Sequence, residues 1–328
     1  MAKKPTKHPE PPHWDDVKGG TWHPTFAGVL SFLRRPYSDD ATGADVAVLG
    51  VPYDNATTDR PGTRFGPRAI RAASCGLAEL KSFPWGFDPF ATLKVVDAGD
   101  CVVNHHLPDT VIPSIEAAAT RILDAGASLL TLGGDHFITY ALLKAHAAKH
   151  GPLALLQFDS HCDTWPDWTQ GATSFNHGSM FLRAGKEGLI DLEHSLQVGL
   201  RSYNDSAHGF EILTAPWLLR NGVDATLAAI KERVGDAKVY ISFDIDFLDP
   251  AYAPGTGTPV CGGPATWQAL AILRGLGDLD LIGMDIVEVS PPYDHAEITA
   301  LAAATLAHDY LCLQAVRKGA RTAPIGRL

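Results

Sequence analysis

Short apolar runs rich in β-branched residues recur along this chain, at 44–51, 93–96, 128–132, 153–158, 196–199, 238–243 and 281–286, and alternate with Ala/Leu-rich segments of helical period. Unbroken apolarity, as opposed to apolarity at every second residue, marks a strand covered on both faces. A parallel sheet between two layers of helices provides that cover. The alternation therefore predicts an α/β fold with one central, mainly parallel sheet. Helices are expected over 67–80, 112–125, 137–150, 224–234, 265–276 and 297–313. No repeat, low-complexity segment or linker divides the chain after its first residues, so 21–328 reads as a single domain. Residues 1–20, with Lys3, Lys4 and Lys7 among prolines, read as a flexible tail lacking the apolar run of a signal peptide.

Composition removes several classes of function. A formal net charge of −10 at pH 7 argues against a nucleic-acid surface, which needs clustered Lys and Arg, and suits a cationic small molecule. No uninterrupted apolar stretch approaches the roughly 18 residues of a membrane span. Cys75, Cys101, Cys162, Cys261 and Cys312 show no paired or regular spacing, which fits reduced thiols in a cytoplasmic protein and not a disulfide framework.

Three of the expected strands run directly into acidic and imidazole residues. The run ending at Leu132 continues Gly133-Gly134-Asp135-His136, that ending at Phe158 continues Asp159-Ser160-His161-Cys162-Asp163, and that ending at Phe243 continues Asp244-Ile245-Asp246. The carboxyl ends of strands in an open parallel sheet are where ligands collect. In extended backbone alternate side chains share a face, so Asp159, His161 and Asp163 converge, as do Asp244 and Asp246, while Ser160 and Cys162 point away. Any one motif alone reads equally well as a turn or a helix cap, since Asp is a favoured capping residue. Together, His136, Asp159, His161, Asp163, Asp244 and Asp246 bring their carboxylates and imidazoles to one sheet edge. Packing those negative charges together is prohibitive without cations. Two divalent ions answer both the charge and the number of ligands, and oxygen-rich ligation favours two Mn²⁺ over structural zinc.

These stretches resemble the ureohydrolase family. Leu132 to His136, Phe158 to Asp163, and Ser242-Phe243-Asp244-Ile245-Asp246 followed by Asp249-Pro250 and Pro254-Gly255 look like the family's three signatures in the family's order. Within the family, Pro61-Gly62-Thr63-Arg64-Phe65-Gly66-Pro67, Phe83-Pro84-Trp85 and Gly257-Thr258-Pro259 resemble agmatinases more than arginases. The resemblance implies an arginase-like three-layer αβα fold, a manganese pair, and a homotrimer or homohexamer. It puts His136, Asp159, Asp163 and Asp244 on one ion and Asp159, His161, Asp244 and Asp246 on the other, with Asp159 and Asp244 bridging.

The implied reaction is hydrolysis of agmatine to putrescine and urea, by attack of a metal-bridging hydroxide on the guanidinium carbon. Glu288, in Asp285-Ile286-Val287-Glu288, matches the family's guanidinium-binding glutamate. A carboxylate can pair with a guanidinium through both oxygens. Asp163 is implied as the proton carrier to the leaving amine. His177, in Asn176-His177-Gly178-Ser179, matches a proton-shuttling histidine, a task its ordinary pKa suits. Between them the loop carrying Trp165, Asp167 and Trp168 reads either as a lid that selects the substrate or as a packed corner or interface. Asn176 stands where the family often has aspartate, which leaves guanidinobutyrate, guanidinopropionate or a similar guanidino compound as the alternative substrate. A catalytically silent subunit that binds polyamines or a partner is the remaining reading, and the complete ligand set disfavours it.

Overall fold

The computed structural model describes residues 25–78, 81–166 and 176–323. The tail expected over 1–20 lies outside the described residues, as do Asp167 and Trp168 of the loop. Eight strands, β1 (Val46–Val51), β2 (Val95–Asp100), β3 (Ser128–Gly133), β4 (Ala154–Phe158), β5 (Leu196–Leu200), β6 (Glu211–Thr214), β7 (Lys238–Asp244) and β8 (Asp280–Val287), form one sheet in the order β2-β1-β3-β8-β7-β4-β5-β6. Every pairing is parallel, so all the carboxyl ends open on one edge.

The helices are α1 (Gly66–Ser74), α2 (Val111–Asp124), α3 (Ile138–His150), α4 (Met180–Lys186), α5 (Ala215–Val234), α6 (Thr266–Arg274) and α7 (Ile298–Arg317). Alternation along the strands sorts them into two layers. Val46 and Val48 of β1 share a core with Ile70 of α1, Leu218 and Ile230 of α5, Ile272 of α6 and Leu306 of α7. Ala47, Leu49 and Val51 turn the other way, onto Ile115 of α2, Leu142 of α3 and Phe181 of α4. Burial on both faces is the reason the strands read as continuous apolar runs, and the expected three-layer αβα arrangement with a parallel sheet is the one observed.

Differences from the expectation are the short helix α4, which was not among the expected helices, and changes at edges and breaks. β6 is a four-residue edge strand with only Leu213 fully buried, too short and too polar to announce itself. β2 runs two residues later than expected at its start and extends to Asp100, because acidic Asp97 and Asp100 face Arg71. The first half of α5 precedes a break at Gly222, φ 82°, and only the half after the break had shown a helical period.

Candidate active site

The middle of the sheet, β3-β8-β7-β4, consists of adjacent strands, and each delivers site residues at its carboxyl end. His136 follows β3, Asp159, His161 and Asp163 follow β4, Asp244 ends β7 with Asp246 just beyond, and Glu288 follows β8. The ligand atoms of His136, Asp159 and Asp244 lie within 4.8 Å of one another, as do those of Asp159, His161 and Asp246. Nδ1 of His136 is 2.8 Å from Asp163 Oδ2, 3.1 Å from Asp159 Oδ2 and 3.3 Å from Asp244 Oδ2. Nδ1 of His161 is 3.0 Å from Asp246 Oδ2 and 3.5 Å from Asp159 Oδ1. Asp159 thus stands between the two imidazoles, while Asp244 lies beside His136.

Strand alternation explains only part of this convergence. β4 ends at Phe158, and Asp163 reaches the cluster through a left-handed backbone, φ 51°. Asp246 lies in a single 3-10 turn, Ile245–Phe247, whose start is capped by Asp244 Oδ1 accepting from the Asp246 N–H at 2.8 Å. Glu288 is also left-handed, φ 63°. Such backbone is uncommon outside glycine and concentrates where function over-determines the chain. The expectation for Ser160 is corrected: with extended backbone lost after Phe158, its hydroxyl turns inward, donates to Asp246 Oδ1 at 2.7 Å and lies 3.0 Å from His161 Nδ1. Cys162 does point away, and its sulfur accepts from Asn204 Nδ2 at 3.2 Å.

The donor set fits a pair of divalent cations. Nδ1 of His136 is buried and, despite its carboxylate neighbours, is aligned for a hydrogen bond to none of them, while Nε2 is engaged 2.8 Å from Ser242 Oγ. A ring nitrogen aimed at a focus of carboxylate oxygens, with its opposite nitrogen held, is the geometry of a metal ligand with an outer-sphere partner. Four of the six side chains, His136, His161, Asp163 and Asp244, are drawn toward their protonated forms. Burial opposes protonation of His136, but Asp163, Asp159 and Asp244 outweigh it and raise its pKa well above the ordinary range. Burial likewise opposes the imidazolium of His161, and Asp246 and Asp159 push it up to about 12. Burial and the neighbouring Asp159 raise Asp163 to about 6, and burial with Asp246 and Asp159 raises Asp244 well above the carboxylate range. Cations would take over from these protons, so metal binding here releases them.

Beside the cluster lies a cleft of about 380 Å³ whose lining includes His161, Asp163, Asp244, His177, Thr58 and Trp165. Glu288 is buried beneath its wall, and Oε1 accepts from the His136 N–H at 2.8 Å and pairs with His177 Nδ1 at 2.8 Å. Oε2 has no hydrogen-bond partner, and the position a Cβ would take on Gly257 is 3.8 Å away. His177 is 8% exposed. Burial disfavours its charge, yet the charge and hydrogen bond of Glu288, then Asp135 and Asp163, raise it to about 9. The Thr58 N–H, which donates to Nε2 at 3.0 Å, pulls the other way, because that contact requires an unprotonated Nε2. Trp165 packs edge-on to His161 with ring centroids 5.9 Å apart and donates through Nε1 to the Tyr203 carbonyl at 3.0 Å. Asn176 spends its side chain on the Gly178 N–H at 2.9 Å.

Every expected site residue therefore lies in one place, and the structure adds supports that the motifs did not include. Gln197 Nε2 donates to Gln157 Oε1 at 2.7 Å, and Gln157 Nε2 donates to Asp159 Oδ2 at 2.6 Å. The Ser242 hydroxyl donates to Asp285 Oδ1 at 2.8 Å. The sequence carried a signal for them: a Gln, Ser or Asp inside an apolar run has no reason to be in a core unless it has a partner there. The loop after β1 gave no such signal. Its Ala56 N–H donates to Asp135 Oδ2 at 2.9 Å, and Arg60 donates to the carbonyls of Gly257 and Thr256 at 2.9 and 2.8 Å.

The Arginase family profile matches residues 44–312 of the chain. An agmatinase of Chromobacterium violaceum is 60% identical over 305 residues, which cover 93% of this chain and 94% of that protein. Among solved structures, a hypothetical agmatinase from Burkholderia thailandensis superposes with a TM-score of 0.89 at 56% identity, covering 92% of this chain and 95% of its own. Proclavaminate amidino hydrolase from Streptomyces clavuligerus follows the same path with a TM-score of 0.85 at 40% identity, over 89% of this chain and 99% of its own.

Proposed function

The chain belongs to the arginase family, and from that premise we propose that it hydrolyses agmatine to putrescine and urea with a pair of Mn²⁺ ions. The observation that carries the substrate is the 60% identity to an agmatinase along nearly the whole of both chains. Chemistry supports it: Asp163 and Asp244 put carboxylates on the cleft, Glu288 stands behind His177 of its lining, and the net charge of −10 attracts a cation. The guanidino-acid alternative is not favoured, since the likeness to proclavaminate amidino hydrolase is only 40%. No observation favours a silent subunit.

In this reading His136, Asp159, Asp163 and Asp244 would hold one ion, and Asp159, His161, Asp244 and Asp246 the other. The metal pair, when bound, supplies a water that ionises near neutral pH. Glu288 receives the guanidinium. Its Oε1 already accepts two hydrogen bonds, so the cation is assigned to Oε2, in place of the two-oxygen pairing expected from sequence. That contact orients the electrophilic carbon toward Asp163 and Asp244, which also line the cleft. Asp163 carries to the departing nitrogen the proton that lets the amine leave, and His177 supplies the further proton that the freed amine takes up. A pKa near 9 keeps His177 charged as a donor at neutral pH.

We further propose that residues 21–328 act as one unit in the cytoplasm, as a homotrimer or homohexamer. The cysteines among the described residues are unpaired, and no helix among those residues is long and apolar enough to cross a membrane. The deciding experiment is a panel assay of Mn²⁺-loaded protein for urea from agmatine, arginine, guanidinobutyrate and guanidinopropionate. Agmatine should turn over fastest, and faster turnover of a guanidino acid would overturn the substrate. Metal analysis that finds only zinc after Mn²⁺ incubation would overturn the metal, and light scattering of a monomer would overturn the assembly.

A further inference from the structure

Nε2 of His177 meets two groups of one residue: the Thr58 N–H at 3.0 Å and the Thr58 hydroxyl at 2.8 Å. We propose that Thr58 is a positioning residue for His177, fixing which ring nitrogen carries the proton and keeping Nε2 hydrogen-bonded whether or not it is protonated. This rests on the reading of His177 as a proton carrier.

A backbone amide can only donate, so its contact requires the lone pair of neutral imidazole at Nε2 and leaves the proton on Nδ1, directed at Glu288 Oε1. The hydroxyl differs because it can donate or accept. It donates to neutral Nε2, and when Nε2 gains a proton it rotates to accept, which the amide cannot do. Without the hydroxyl, the Nε2–H of imidazolium would be left facing the Thr58 backbone N–H, a donor against a donor. The loop is built to hold Thr58 still. Two residues before, the Ala56 N–H is fixed on Asp135; two residues after, Arg60 is fixed on the carbonyls of Gly257 and Thr256, with its guanidinium 4.3 Å from the centre of the Tyr293 ring. The charged groups acting on His177 are Glu288 after β8, Asp135 after β3 and Asp163 after β4, and Thr58 adds no charge of its own.

Thr58→Val keeps branching, size and the backbone amide and removes only the hydroxyl. With Mn²⁺-loaded protein, kcat for agmatine is expected to fall about tenfold, the scale of one hydrogen bond, while KM stays within about twofold. The basic limb of the kcat–pH profile should move to lower pH, because imidazolium loses its acceptor. Thr58→Ser should restore both. In a His177→Ala background, Thr58→Val should slow the residual rate no further. A second readout needs no turnover: in a nitrogen-NMR pH titration of histidine-labelled full-length protein without added metal, His177 should lose its Nε2 proton at lower pH in Thr58→Val than in wild type, while the neutral ring keeps its proton on Nδ1 in both. Wild-type kcat in Thr58→Val, no rescue by Ser, equal slowing in both backgrounds, or an unchanged NMR titration would each overturn the proposal. Full activity in His177→Ala would instead overturn the proton-carrier reading, and the NMR titration would still judge the contact with Thr58.

Discussion

His136 turns Nδ1 toward the carboxylates because Nε2 is 2.8 Å from Ser242 Oγ, and that hydroxyl in turn donates to Asp285. Asp285 is buried and also accepts from Tyr240 and Thr139, each at 2.9 Å, so the serine cannot rotate away without leaving a charged acceptor short of a donor. Ser242→Ala keeps all six proposed ligands but releases the ring. Metal affinity, measured by chelator competition, is expected to weaken about 10- to 100-fold; an unchanged affinity would show that the serine does not orient His136. The metal ligands themselves were legible from sequence because chelating residue types stand directly after apolar strands. Ser160 was misread for a physical reason, since strand alternation fails once backbone leaves the strand. Thr58 was not legible at all, because a threonine in a polar loop carries no pattern and its partner is 119 residues away.

Elements bring these residues together by close approach of backbone, and glycine sets how close. Gly134 links β3 to His136, its N–H donates to the Val51 carbonyl at 2.9 Å, and the Asp135 N–H donates to the Tyr53 carbonyl at 2.7 Å. A Cβ on Gly134 would sit 1.9 Å from the Tyr53 oxygen, a backbone atom with no rotamer by which to escape. From sequence this glycine pair could have been an ordinary turn; the packing of the β1 loop against it is what makes a side chain impossible. Gly134→Ala is expected to cost about 3 kcal/mol in urea unfolding, the upper end of overpacking, and to displace His136. Gly76→Ala serves as the control, since a Cβ there meets nothing within 4 Å, and its midpoint should not fall. The sheet was legible for the opposite reason to β6 and the first half of α5: central strands are covered on both faces and read as apolar, whereas an edge strand and a helix broken at Gly222 give half a pattern each.

Across the whole molecule the two helical layers each bury a histidine that is not part of the cluster, and together they give the fold a weakness toward acid. His146 of α3 is fully buried against Tyr240, ring centroids 4.8 Å apart, and burial lowers it to about 4 against the help of the Leu142 carbonyl. His308 of α7 is stacked on Phe90 at 6.3 Å, and burial lowers it to about 4 although Asp88 favours its charge. For both, the folded pKa lies below the ordinary value near 6.5. The unfolded chain therefore binds more protons between about pH 6.5 and pH 4, and the stability owed to each neutral ring is present above that window and lost through it. Each ring contributes a slope of up to about 1.4 kcal/mol per pH unit there. His308→Phe preserves a stacked ring and removes one titrating group. With chelator-treated wild type and variant, so that metal release adds nothing to either curve, the urea midpoint of wild type should fall more steeply than that of His308→Phe from pH 6.5 to 4, and the two should run parallel above pH 7. Parallel curves throughout would mean that His308 is charged in the folded protein, and that its site between α7 and Phe90 admits the water or counter-charge which its burial excludes.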